Sequence, residues 1–346
     1  MKKMLALLLA LVLVLGLAAC TSETDTTNQN SNTNSTQQGN TTQPDDTTPE
    51  NSDDDKILIG WSCGYIETNH WTLEIAGSQY AANQAGVEMY AKFADGNDVQ
   101  QVEDIETMAE MGMDYLITCP VNAEGLAPTV EALHEKGIYV GTSDSTINSD
   151  LITCHVTSDN YMIGQEAAKF LGEALNGEGN LAICSWDVTS ACALRKQGLV
   201  DTLAEEYPNI KIVDYKDTYG DRTQSLDYVE TVLQAHPEIN AIYGVTAEQS
   251  LGALAGTKSM GREDVIVVAT DTDTEVMDAI KAGSNLVASV GQDPFEMGRI
   301  AMENALKILN GETVEEKETL IPVVLITAEN VDEIVQRNED YLASVQ

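Results

Sequence analysis

Asp144 and Asp271 each stand directly behind a short apolar run, where a carboxylate can accept hydrogen bonds from the hydroxyls or the amine of a small ligand. Neither reads as a simple helix cap. Asp144 is followed by Ser145-Thr146-Ile147-Asn148-Ser149, without Gly, Pro or helical period, and Thr272 with Glu275 forms a capping box just after Asp271. Thr246 with Gln249 fits the same box, so for Thr246 cap and ligand contact stand level. Gln292 closes another run, and the 3 Trp, Trp61, Trp71 and Trp186, lie at the ends of such runs or just beyond them. Trp71, preceded by Asn69 and His70, heads a helix, where stacking on a ligand and packing on its own sheet are equal readings. Aromatic faces stack on C–H surfaces while carboxylates pair with hydroxyls, which is the chemistry of holding a sugar or similar polyol.

Catalytic signatures are missing. The chain has no GxGxxG, GxSxG, HExxH or P-loop motif, and its 4 His are scattered, so no enzyme, cofactor or metal site is expected. The 6 Cys include no CxxC and no Cys/His pair at zinc spacing. With Cys20 set aside, Cys63, Cys119, Cys154, Cys184 and Cys192 cannot form a closed disulfide set, and they read as small buried hydrophobes. A net charge of −38 argues against nucleic acid, whose binding is dominated by cations on phosphate.

The elements that must carry these residues alternate regularly. Continuous apolar runs at 57–61, 87–93, 115–118, 138–140, 181–186, 210–213, 241–245, 265–269 and 286–290 mark parallel strands buried on both faces. Between them lie amphipathic stretches such as Ile163, Ala167, Phe170, Leu171 and Ala174. The alternation gives doubly wound α/β architecture, and the number of strands favours two lobes. Ligands of such sheets bind outside the carboxyl ends of the strands, where Ser62, Cys63, Ser143, Asp144, Trp186, Asp187, Thr246, Asp271 and Gln292 all fall.

Ahead of this body the chain carries Lys2-Lys3, an apolar run over 4–17 and then Leu17-Ala18-Ala19-Cys20. At ~1.5 Å per residue that run is about 21 Å long, short of a membrane core of roughly 30 Å, and its layout is that of a secretory signal. Leu17-Ala18-Ala19-Cys20 resembles the lipobox of bacterial lipoproteins, which implies a signal peptide over 1–19 and lipidation of Cys20. Residues 21–55 are dominated by Ser, Thr, Asn, Gln and Asp and hold no basic, aromatic or aliphatic residue. Such a segment stays disordered, giving over 20–55 a lipid-anchored tether with a typical reach of about 35 Å.

The body resembles the type I periplasmic binding proteins of the ribose and galactose class, the sugar-binding subunits of ABC importers. The resemblance rests on Ser158-Asp159-Asn160-Tyr161, Arg195-Lys196-Gln197-Gly198-Leu199, Ala235-His236-Pro237-Glu238-Ile239 leading into Ala241-Ile242-Tyr243, Leu251-Gly252-Ala253-Leu254, and Val267-Val268-Ala269-Thr270-Asp271. It implies two Rossmann-like lobes joined by a three-segment hinge: 56–156 plus 293–321, and 157–292 plus 322–346. It also implies ligand contacts at His70, Trp71, Asp144, Asp271 and Gln292, to which Ser145 and Thr246 add the polar rim.

The resemblance further implies a lipid-anchored, extracytoplasmic and monomeric protein at the bacterial cell membrane. Such a protein closes over a small polar ligand, a sugar, and delivers it to an ABC permease. A ligand-presenting sensor for a membrane receptor kinase, or a binding protein for a nucleoside or signalling molecule, is the alternative. Departures bear on the ligand. Ribose-type members carry Asn-Pro-Phe-Phe where this chain has Thr68-Asn69-His70-Trp71, Asp-Arg where it has Asp144-Ser145, an Arg at Ala193 and Asn-Asp at Thr246-Ala247. Without those two guanidiniums and that amide, ribose itself is not the expected ligand.

Overall fold

The computed structural model describes residues 56–65 and 67–345; the signal segment, Cys20 and the tether lie outside the described residues. Among those described, no helix is long and apolar enough to cross a membrane.

The chain builds two six-stranded sheets in succession. The first takes β1 (Leu58–Cys63), β2 (Glu88–Phe93), β3 (Tyr115–Cys119), β4 (Tyr139–Ser143) and β5 (Ile152–Ser158), with α1 (Asn69–Ala85), α2 (Asp98–Glu110) and α3 (Ala127–Glu135) between them. From β5 the chain runs into α4 (Asn160–Ala174), then β6 (Glu178–Ser185), α5 (Ser190–Glu206), β7 (Asn209–Asp217) and α6 (Arg222–Ala235). The second sheet continues through β8 (Ala241–Gly244), α7 (Ala247–Ser259), β9 (Ile266–Thr270), α8 (Thr274–Lys281) and β10 (Leu286–Gly291). The chain then returns to the first sheet with α9 (Pro294–Leu309) and β11 (Glu318–Ile321), and ends on the second with β12 (Val324–Ile326) and α10 (Val331–Ala343).

Strand order is β11-β5-β4-β3-β1-β2 in the first sheet and β12-β10-β9-β8-β6-β7 in the second, the same winding twice. All pairings are parallel except β12 on β10. Each apolar run of the sequence became a strand. The sheets are covered on both faces: Ile59, Trp61 and Tyr115 pack toward α1 and α9, while Leu116 and Val140 pack toward α2 and α3. That two-sided burial is why these strands read as unbroken apolar runs.

β5 and β11 gave no such run, and β12 was not expected either, although Val323-Val324-Leu325-Ile326 is continuously apolar. β5 alternates buried and half-buried residues, β11 is an edge strand with Leu320 half exposed, and β12 is only 3 residues long. Helix caps follow the chemistry of short polar side chains: Asn97, Asp159, Asp221 and Asp293 accept from first-turn N–H groups of α2, α4, α6 and α9.

Close helix crossings tie each lobe together. A Cβ on Gly77 would meet the Phe295 carbonyl oxygen at 1.9 Å and one on Gly298 the Glu74 carbonyl oxygen at 1.8 Å, so α1 and α9 touch backbone to backbone. Gly164 and Gly198 do the same for α4 and α5. Across the two lobes runs α10. Its Val331 and Ile334 sit in the second core, while Tyr341 stacks on Phe295 of α9 with centroids 4.0 Å apart and Arg337 pairs with Asp293 at 3.1 Å.

The five described cysteines are all buried and unbridged, and burial raises their thiol pKa values, that of Cys184 to about 12.

Candidate functional site

The carboxyl ends of the two sheets face a cavity of about 330 Å³. From the first lobe, the β1–α1 segment supplies Tyr65, Thr68, His70 and Trp71, and the β4–β5 loop supplies Asp144 and Ser145. From the second, Trp186 follows β6, Gly220 follows β7, Thr246 follows β8, Asp271 follows β9 and Gln292 follows β10, while Cys192 and Arg195 reach in from α5. All seven residues singled out from the sequence, His70, Trp71, Asp144, Ser145, Thr246, Asp271 and Gln292, therefore line one space. Trp61 does not: it is fully buried in the first core, its indole N–H donating to Ser78 Oγ at 3.1 Å.

Asp144 and Asp271 occupy equivalent places in the two lobes and share an unusual backbone. Each follows the fourth strand of its lobe with a positive φ, 62° and 80°, a region that non-glycine residues seldom adopt. Each is pinned there by the fifth strand. The Asp144 N–H donates to Val156 O at 2.8 Å and its carbonyl accepts from Thr157 Oγ at 2.8 Å. For Asp271 the donor bond goes to Val290 O at 3.1 Å and the accepted bond comes from Ser289 Oγ at 2.7 Å. Local strain of this kind, held by neighbouring strands, is a feature of functional sites.

The carboxylates are then treated differently. Asp271 accepts from Gln292 Nε2 at 2.5 Å and from the Ala247 N–H, at the start of α7, at 3.1 Å, with Arg195 Nη1 3.8 Å away. Asp144 accepts from Ser145 Oγ at 3.1 Å and lies 3.5 Å from His70 Nε2. Burial works against the Asp144 charge, but His70, Arg195 and Ser145 outweigh it and hold the carboxyl below its usual range. Burial likewise pulls the His70 imidazolium down, and Asp144 followed by Glu74 more than restores it.

The capping box at Thr272 needs correction. Asp273, not Thr272, caps α8, its carboxylate accepting from the Glu275 N–H at 3.3 Å. Asp271 is still not the cap of α8. The box at Thr246 holds: its hydroxyl accepts from the Gln249 N–H at 3.4 Å and is 3.1 Å from Gln249 Oε1. Thr246 thus faces the cavity with its hydroxyl already engaged in starting α7.

Aromatic walls stand on both lobes. Trp71 lies parallel to Tyr65 with centroids 5.3 Å apart and meets the His70 ring edge-on at 4.7 Å, so it belongs to the core and the cavity wall at once. Opposite, Trp186 lies over Gly220, where a Cβ would come within 2.6 Å of the indole and φ is +67°. Any larger residue there would displace Trp186 from the wall.

Sequence reasoning missed Tyr65, Gly220, Glu74 and Arg195. Arg195 was quoted only as part of a motif, yet it brings a guanidinium into a cavity expected to have lost two. It is buried, with Nε donating to Asn160 Oδ1 at 2.8 Å and Nη1 to Val245 O at 2.9 Å. Glu74, fully buried behind the wall, accepts from Ser143 Oγ. Burial, helped by the Asp144 charge and opposed by His70 and Ser143, pushes its pKa up to about 8.

Two buried polar atoms of residues lining this space have no hydrogen-bond partner among the described residues, His70 Nε2 and Gln292 Oε1, and the second is an acceptor. A buried acceptor in that state requires a donor from water or a ligand. A second hollow of about 240 Å³ near the starts of α2 and α3 makes no comparable demand. Its one buried polar side chain, Gln101, already donates to Cys119 O at 2.9 Å and accepts from the Val121 N–H at 2.9 Å.

Comparison with known proteins agrees with this geometry. Residues 59–313 match the model of the periplasmic binding protein domain. The chain is 29% identical over 269 residues to the ribose import binding protein of Bacillus subtilis (strain 168), covering 77% of this chain and 87% of that protein. An ABC transporter solute binding protein from Bacillus halodurans C-125, solved with bound myo-inositol, superposes with a TM-score of 0.72 at 26% identity, over 84% of this chain and 98% of that one. The arabinose binding protein from Geobacillus stearothermophilus shares the fold, with a TM-score of 0.75 at 20% identity over 80% and 99% of the two chains. With two like-wound α/β lobes, a cavity between their strand ends and a family match over most of its length, the chain belongs to the periplasmic binding protein domain family, whose relatives here are binding proteins and not enzymes.

Proposed function

We propose that this protein is the substrate-binding subunit of an ABC importer and captures a small polar ligand of the sugar or polyol class between its lobes. The observation that carries this reading is the wall chemistry of the cavity: an aromatic face and a carboxylate from each lobe, Trp71 with Asp144 and Trp186 with Asp271. Flat indoles take up the apolar faces of a ring or chain, and the acids and Gln292 accept from its hydroxyls. A cavity of about 330 Å³ suits a ligand the size of a monosaccharide.

Lobes of 56–156 plus 293–321 and 157–292 plus 322–346 would close as a hinge over the ligand, flexing where the chain passes between sheets, between β5 and α4, β10 and α9, and β11 and β12. In that role the protein acts as a monomer, anchored outside the cytoplasm through lipid on Cys20, with residues 20–55 as the tether to a membrane where its permease partner sits. The anchor has its own test: in a bacterial host, Cys20→Ser should release the protein from the membrane fraction, and retention there would remove Cys20 as the attachment point.

A thermal-shift panel of pentoses, hexoses, inositols and linear polyols tests the ligand class. A true ligand at about 100 times its dissociation constant adds about 2.7 kcal/mol of stability. For a molecule of this size that should raise the melting temperature by about 4–5 °C. No shift with any member of the panel would end the sugar reading.

A further inference from the structure

Glu74 is the one carboxyl behind the cavity wall that no ligand can touch, and it is not satisfied where it lies. It is fully buried, Oε1 accepts from Ser143 Oγ, and Oε2 has no hydrogen-bond partner among the described residues. One turn earlier on α1, His70 Nε2 lies 3.6 Å from that oxygen and 3.5 Å from Asp144 Oδ2, and it too lacks a hydrogen bond. The imidazole is thus seated between two carboxyls with Nε2 turned toward them and its ring near perpendicular to Trp71, so that Nδ1 is the nitrogen on the other side of the ring. The seat is rigid, because Gly298 of α9 lies against the Glu74 carbonyl and Ser143 ends β4 beside Asp144.

We propose that Glu74 is a positioning residue for ligand selection: it seats His70 so that the first-lobe wall presents a hydrogen-bond donor beside Trp71, selecting ligands that offer an acceptor oxygen there. This rests on the reading of the cavity as a sugar or polyol site.

The charged and titratable groups around His70 are Glu74 on its own helix, Asp144 on the β4–β5 loop, and Asp271 from the second lobe, with Arg195 acting on Asp144 from α5. Cys63, at the end of β1, and Cys119, at the end of β3, face the same two carboxyls, and Tyr65 is near Asp144. With its pKa at about 8, Glu74 keeps its proton near neutral pH, and Asp144, held low, is then the carboxylate that favours the charged imidazole. Above that pH Glu74 ionises, draws His70 toward itself and adds a negative charge behind a wall meant to meet an oxygen.

The test uses the full chain as wild type, Glu74→Gln and Glu74→Leu. Without ligand, the His70 ring resonance, assigned by its loss in His70→Phe, should show, besides the inflection of its own ionisation, a second one near pH 8 that reports Glu74 and vanishes in both Glu74 variants. With D-ribose and myo-inositol as probes, wild-type affinity should fall as pH rises through about 8. Glu74→Gln should restore affinity near neutral pH to within about twofold while abolishing the fall, and Glu74→Leu should weaken binding about tenfold at every pH. A His70 resonance with no second inflection over that range, or a second inflection that persists in Glu74→Gln, overturns the proposal even if a probe binds. Failure of both probes to bind, with the inflection present, counts against these sugars as ligands and leaves the His70–Glu74 seat established.

Discussion

Asp271→Ala should weaken binding of the ligand identified in the sugar and polyol panel by about tenfold to more than a hundredfold, the weight of a charged hydrogen-bonding group lost from a buried site. Removing it takes away the proposed ligand acceptor and strips partners from Gln292 Nε2, the Ala247 N–H and Arg195 at once. Asp271→Asn separates the two effects. Asn tolerates the positive φ of 80° found here, so the backbone stays in place, but its amide cannot accept from both Gln292 and Ala247. Its affinity should therefore fall between wild type and alanine. Calorimetric titration decides the matter, and an Asp271→Ala affinity within about twofold of wild type would remove this residue from the site.

Gly298→Ala should be among the most damaging single-methyl additions in the molecule. Alanine gains about 1 kcal/mol over glycine in a helix interior, but a Cβ here lands 1.8 Å from the Glu74 carbonyl oxygen. Backbone on the opposite helix cannot rotate away as a side chain could, so α1 and α9 must separate. Overpacking of this kind costs about 1–3 kcal/mol or more, and its loss should exceed the helix gain. We expect a melting temperature lower by several degrees in thermal unfolding, together with weaker ligand binding, because the displaced carbonyl belongs to Glu74 beneath His70. An unchanged melting temperature would mean that the two helices are not locked where they cross.

The parts of this molecule that were legible in the sequence are those whose physics is local. Strands covered on both faces announce themselves as apolar runs, and the residues just past them are where a doubly wound fold offers a site, so Asp144, Asp271 and Gln292 could be named in advance. What stayed hidden depends on tertiary contact. β5 interleaves polar residues and β11 is an edge strand, so the sheet and not the pattern makes them strands, whereas β12 lies in an apolar run, 323–326, too short to stand out. Glu74 looks like a surface helix residue by type. Its position on the stripe with Trp71, Ser78 and Ala81 was the available sign that it turns inward. Arg195 sits within a motif that marks the family, and only its reach across α5 to Asn160, Val245 and the cavity gives it a place at the site. Gly220 carries no side chain to notice; its importance is the room it leaves for Trp186.

The edge strands that escaped notice also govern when this fold can exist. β11 pairs with β5, and α9 packs on α1, although the entire second sheet from β6 to β10 is inserted between them in the chain. The second sheet in turn waits for β12 to close on β10. Pairings so far apart in sequence are slow, because a long loop must be ordered before its contacts can stabilise it. Nearly the whole chain has to be present before either half of the molecule is finished: the first sheet cannot complete its strands until β11 has been made, nor the second until β12.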